Sequence, residues 1–152
     1  MVQDGPDYEV LELAIQREVE AYHFYMAVAE RVDNPEMRQV LEDFAKEELE
    51  HKAKLELEVF KIGYILPTDN QLIVPSNDNY NISNADLLLN MDYKDILLLA
   101  IGKEEASFRT YINLLPTVHD QQSRETLLAI AEEEAKHKHR FEIEYDQLLK
   151  KS

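Results

Sequence analysis

The chain has 152 residues, enough for one domain with a continuous core, and a formal net charge of −15. That charge argues against nucleic acid and against an anionic membrane surface, both of which reward basic patches. The absence of cysteine excludes disulfides, thiolate zinc sites, iron–sulfur clusters and cysteine nucleophiles. The start, Met-Val-Gln-Asp-Gly-Pro-Asp, has neither a basic cluster nor an apolar run, so no signal peptide is expected. No stretch approaches the roughly 18 consecutive apolar residues of a membrane span. A cytoplasmic protein is the expectation.

Four long helices are predicted, with few glycines or prolines to interrupt them. The first runs from about Asp7 to Val32, with Val10, Leu11, Ala14, Ile15, Tyr22 and Tyr25 at helical spacing. Asn34-Pro35 is an N-cap followed by proline at the first helical position. The second helix then runs to about Ile62 and Gly63 terminates it. Residues 67–83 are rich in helix breakers and form one long connection, and a short helix is expected over 84–90. Asp92 caps a third helix that Pro116 ends, and Asp120 caps a fourth that reaches about Leu149. Two tight hairpins joined by a long crossover is the wiring of a ferritin-like, all-α four-helix bundle. A single domain over 1–152 is the expected organisation.

The chain repeats itself. An offset of 86 positions, from Glu18 to Glu104, aligns hairpins of about 7–63 and 92–149 without a gap. Leu11, Ala14 and Ile15 fall on Leu97, Ala100 and Ile101, and Tyr25 falls on Tyr111. Arg38 and Leu41 fall on Arg124 and Leu127. Glu47, Glu48, His51 and Lys52 fall on Glu133, Glu134, His137 and Lys138.

Residues three apart share a helix face, so Glu48 with His51, and Glu134 with His137, can each hold one ion. A carboxylate and an imidazole suit iron, manganese or zinc. A lone Glu-x-x-His in a Glu-rich helix is more often a solvated pair. Here it occurs twice in matched halves, each preceded at the same spacing by a Glu on an apolar stripe, Glu18 and Glu104. Two Glu-x-x-His pairs and one Glu from each remaining helix make up the ligand set of di-iron and di-manganese carboxylate bundles. Four carboxylates would balance two divalent ions, and unpaired inside a bundle they would be costly. Glu48 and Glu134 are the expected bridges, Glu18 and Glu104 the terminal ligands. Tyr25 and Tyr111 point to the same face and are candidates to hydrogen bond a ligand carboxylate. Glu47, Glu50, Glu132 and Glu133 read as surface charge. His23, His119 and His139 read as having no metal role, and Tyr22 and Phe108 as core lining.

The segments Ala14-Ile15-Gln16-Arg17-Glu18, Phe24-Tyr25, Glu48-Leu49-Glu50-His51, Ala100-Ile101-Gly102-Lys103-Glu104, Tyr111 and Glu134-Ala135-Lys136-His137 resemble the rubrerythrin family of the ferritin-like superfamily. The resemblance extends over about 8–148. It implies a non-haem di-iron centre on the six residues above, which reduces hydrogen peroxide or oxidises ferrous iron with dioxygen or peroxide. Full-length rubrerythrins add a Cys-rich rubredoxin domain, so the resemblance implies a separate electron-donor protein for this Cys-free chain. They also carry an extra ligand Glu one turn beyond the third-helix ligand, where this chain has Ser107; the set here is more symmetric. The leading expectation is a di-iron redox protein acting on peroxide or dioxygen, in a role against oxidative stress. The alternatives are an iron-binding or storage protein without turnover and a metal-free structural bundle. Surplus leucines at 87–89 and 97–99 suggest a homodimer.

Overall fold

The computed structural model describes residues 6–63 and 91–151. Among them it has α1 (Pro6–Arg31), α2 (Pro35–Lys61), α3 (Tyr93–Leu114), a single 3-10 turn (Leu115–Thr117) and α4 (Gln121–Lys151). The fold is an all-α four-helix bundle. α1 packs along α2 and α3 along α4 as hairpins; α2 meets α4 and α1 meets α3 across the middle. The predicted short helix over 84–90, the connection over 67–83 and the leucines at 87–89 lie outside the described residues. No described helix is long and apolar enough to cross a membrane.

Local chemistry sets the helix ends. Asn34 Oδ1 accepts from the backbone N–H groups of Glu36 (2.8 Å) and Met37 (3.4 Å), with Pro35 following it. Asp92 accepts from Asp95 N–H at 2.9 Å. Asp120 Oδ2 accepts from both the N–H and the hydroxyl of Ser123 at 2.9 Å. Gly63 has φ 99°, the left-handed geometry that stops α2 and that only glycine adopts at little cost.

The repeat is visible in the turns. The Arg38 guanidinium donates to the Val32 carbonyl at 2.8 Å, and Arg124 does the same to Val118 at 2.8 Å. Each arginine in the first turn of the returning helix ties down the backbone of the link before it. Asp7 at the start of α1 accepts from the N–H groups of His119 (2.8 Å) and Asp120 (2.9 Å), joining one hairpin to the turn of the other.

The core divides into two clusters. One contains Phe24, Tyr25, Met37, Leu41 and Phe141; the other contains Leu11, Leu55, Tyr111, Leu127 and Ile130. Tyr22 packs against the first and Phe108 against the second, as lining. In α3 the run Leu97–Leu99 splits: Leu97 is buried, Leu98 is 48% exposed and Leu99 lies between.

Candidate metal centre

Each of the four helices contributes a buried carboxylate to the middle of the bundle: Glu18, Glu48, Glu104 and Glu134, with His51 and His137 beside them. Each glutamate occupies a core position of its helix, so it is inside because the apolar stripe around it is. The six fall into two overlapping groups, Glu18, Glu48, His51 and Glu134, and Glu48, Glu104, Glu134 and His137. In each group, one ligand atom per residue lies within 4.8 Å of all the others. Glu48 and Glu134 belong to both, the positions expected of bridges.

The hydrogen bonds face inward. His51 Nδ1 lies 3.0 Å from Glu18 Oε1 and 3.0 Å from Glu48 Oε1. His137 Nδ1 lies 3.0 Å from Glu104 Oε2 and 3.6 Å from Glu134 Oε1. The tyrosines cross between hairpins: Tyr25 donates its hydroxyl to Glu104, and Tyr111 donates to Glu18. Each terminal glutamate is therefore held by a phenol from the opposite half.

This donor set is left incomplete by protein alone. Glu48 Oε2 and both oxygens of Glu134 are buried with no hydrogen-bond partner. Buried carboxylates without donors are unstable as anions. Burial, then the charge of Glu18, pushes Glu48 up to about 8. Burial, then Glu48, Glu18 and Glu104, raises Glu134 well above the carboxylate range. Burial raises Glu104 to about 7 against the opposing pull of His137. Burial alone would push both imidazoles down, but the glutamates outweigh it. Glu18 and Glu48 bring His51 to about 10, and Glu104 with Glu48 and Glu47 brings His137 to about 9. Protons hold the charges together here; two divalent cations at the same place would satisfy the orphan oxygens and replace those protons. The residues fit a two-metal centre.

Glu47 corrects an expectation. It does not stand apart as surface charge: Glu47 Oε1 lies 2.8 Å from His137 Nε2. A carboxylate only accepts, so Nε2 carries the hydrogen and Nδ1 faces the glutamates. The bond spans α2 to α4, and only the pairing of those helices reveals it. His23 is buried beside Tyr22 and belongs to neither metal group; the exposed His119 and His139 belong to neither as well.

A groove of about 620 Å³ between α2 and α4 reaches His51 and is lined by Glu47, Glu50, Glu58, Glu125, Glu132 and Glu133, with Lys54. On the opposite side, a cavity of about 240 Å³ between α1 and α3 reaches Tyr25 and Glu104 beside Arg17 and Ser107. Ser107, where the extra ligand Glu would stand, instead accepts from Arg17 Nη2 at 3.3 Å.

Comparisons with known proteins agree with this fold. A hypothetical protein from Pyrococcus furiosus has the same fold, with a TM-score of 0.70 at 22% identity, covering 97% of this chain and 92% of that one. No curated protein matches the sequence. The family model described as Rubrerythrin matches residues 9–64, the hairpin that carries Glu18, Glu48 and His51, so the family likeness read from the motifs is borne out over α1 and α2.

Proposed function

We propose that this chain is a di-iron carboxylate redox protein that reduces hydrogen peroxide or dioxygen. The observation that carries the reading is the pair of overlapping buried ligand groups, which share Glu48 and Glu134 and leave carboxylate oxygens without donors. Glu18 and His51 close one end of the centre and Glu104 and His137 the other. A bound pair of ferrous ions supplies two electrons, enough with two protons to convert one hydrogen peroxide to two waters.

The chain's own residues set the conditions. Tyr25 and Tyr111 hold the terminal glutamates through hydrogen bonds from the opposite hairpin. Burial first, then Glu18 and Glu134, keeps the Tyr111 hydroxyl protonated far above its ordinary range. It therefore stays a donor at its phenolic oxygen. The cavity at Tyr25 and Glu104 gives a small neutral oxidant a way to the centre without crossing the acidic groove. With no cysteine for a redox centre of its own, the chain takes electrons from a separate donor protein.

The test is direct. Protein purified without chelators is expected to hold about two irons per chain and to show oxo-bridged ferric absorption when oxidised. In anaerobic stopped flow the ferrous form is expected to react with peroxide far faster than free ferrous ion. Equal rates sink the redox reading, and many irons per chain favour storage.

A further inference from the structure

The two halves of the centre align residue for residue, but the second contacts of their histidines do not. His137 Nε2 is held by Glu47. The repeat places Glu133 in the equivalent role toward His51, yet Glu133 bonds Lys136 Nζ at 3.1 Å instead. The cause lies one turn on. Position 136 is lysine and its repeat mate, position 50, is glutamate. Lys136 holds Glu133 through an i,i+3 pair, whereas Glu50 offers Glu47 no such cation, and Glu47 reaches across to His137. The packing differs in the same sense. Phe44 stacks on the His137 ring at 3.8 Å between centroids, 19° from parallel, and Tyr25 and Phe141 close on Phe44. The repeat mates of Phe44 and Phe141 are Ile130 and Leu55, aliphatic where this half is aromatic. His51 and Ile130 line the acidic groove, while Phe44, Glu47 and His137 line another of about 330 Å³ with Lys136 and Arg140.

We infer that the two metal positions are unequal: the Glu104–His137 position binds its ion more tightly, with Glu47 as a positioning residue, and the Glu18–His51 position, which lacks such a partner, binds more weakly. The physical argument is that a carboxylate on the far nitrogen of a ligating histidine fixes its tautomer and ring and raises its basicity. Such a partner is worth roughly 10–100-fold in metal affinity. Glu47 supplies it on one side; Lys136 withholds it on the other. This inference rests on the two-metal reading above.

Anaerobic titration of metal-free protein with Co(II), followed by its visible d–d bands, tests it without redox chemistry. The wild type is expected to bind two ions in two steps separated by about 10–100-fold. Glu47→Ala is expected to weaken the tighter step by that factor and leave the other alone. Glu47→Gln, whose amide oxygen still accepts, should restore part of the loss. Lys136→Gln releases Glu133 and should tighten the weaker step. If Glu47→Ala loses its helical circular dichroism, Lys136→Gln decides alone, and an unmoved weaker step overturns the inference. Equal wild-type steps, or both steps moving together in folded Glu47→Ala, also overturn it while the two-metal reading stands. Fewer than two ions per wild-type chain overturns that reading and the inference with it.

Discussion

Glu134 shows what the site costs the fold. It is fully buried and neither carboxylate oxygen has a donor, so its ionisation is opposed by burial and by Glu48. The neutral isostere removes that penalty. Glu134→Gln is expected to leave metal-free stability closer to wild type at pH 5 than at pH 9, where it should exceed wild type, in urea unfolding. The same variant should weaken metal binding at both positions, since Glu134 belongs to both ligand groups. A lower stability at both pH values would show that Glu134 is satisfied in a way the structure does not contain. The phenols act oppositely. Tyr25→Phe leaves Glu104 without its cross-hairpin donor and should cost about 1–3 kcal/mol, again by urea unfolding. The six candidate ligands are legible in the sequence because Glu-x-x-His recurs on an apolar stripe in both halves, each time after a Glu at the same spacing. Glu47 is not legible in that way. Its partner is 90 positions away on α4, and its side chain is 37% exposed, like many charged surface residues. The Lys136-for-Glu50 difference is visible in the sequence, but it carries meaning only once α2 and α4 face each other.

At the level of elements, the links are where local sequence acts most strongly. Asn34 and Asp120 cap returning helices at matched places, and Arg38 and Arg124 tie the preceding turns. Asn34→Ala removes the acceptor for two helix N–H groups. It is expected to lower stability by about 1 kcal/mol, a drop of roughly 2–4 °C in thermal midpoint for a chain of this size. Metal stoichiometry should not change, since the cap is remote from the ligand groups; lost metal would mean the turn positions α2 along its axis. These signals are why helix ends are readable to within a residue or two. Asn-Pro, Asp caps and Gly63 act within one turn of the backbone and need no tertiary partner. Pairing of hairpins is another matter. The Asp7 bonds to the 119–120 backbone and the crossed tyrosines depend on which faces meet, and helical periodicity alone does not say which. Periodicity leaves the tyrosine role open for that reason; the structure assigns it, because both hydroxyls reach the opposite hairpin.

For the whole molecule, the centre makes stability and metal content one variable. In the metal-free fold Glu48 is raised to about 8, Glu104 to about 7, His51 to about 10 and His137 to about 9. All four are raised above their ordinary values, so between about pH 4.5 and 10 the folded state holds more protons than the unfolded chain. By linkage, stability is fully present at the low end of that window and is lost as pH rises through the folded values. Each tenfold change in proton affinity is worth about 1.4 kcal/mol, against a typical total stability of about 5–15 kcal/mol, so the loss should be large. Bound divalent metal reverses the dependence. Its ligands are already deprotonated, so binding releases protons and strengthens as pH rises. The thermal midpoint of metal-free protein is therefore expected to fall steadily from pH 5 to pH 9. With two equivalents of redox-inert Zn(II) or Co(II) it should stay nearly level, so that the gap widens with pH. Calorimetric titration at pH 7 in buffers of different ionisation enthalpy should show several protons released per chain filled. A metal-free midpoint that is flat or rises over this range would mean the four carboxylates are not held together without metal. A falling midpoint that metal fails to rescue would mean the centre is held by its protons alone, and the two-metal reading would not survive it.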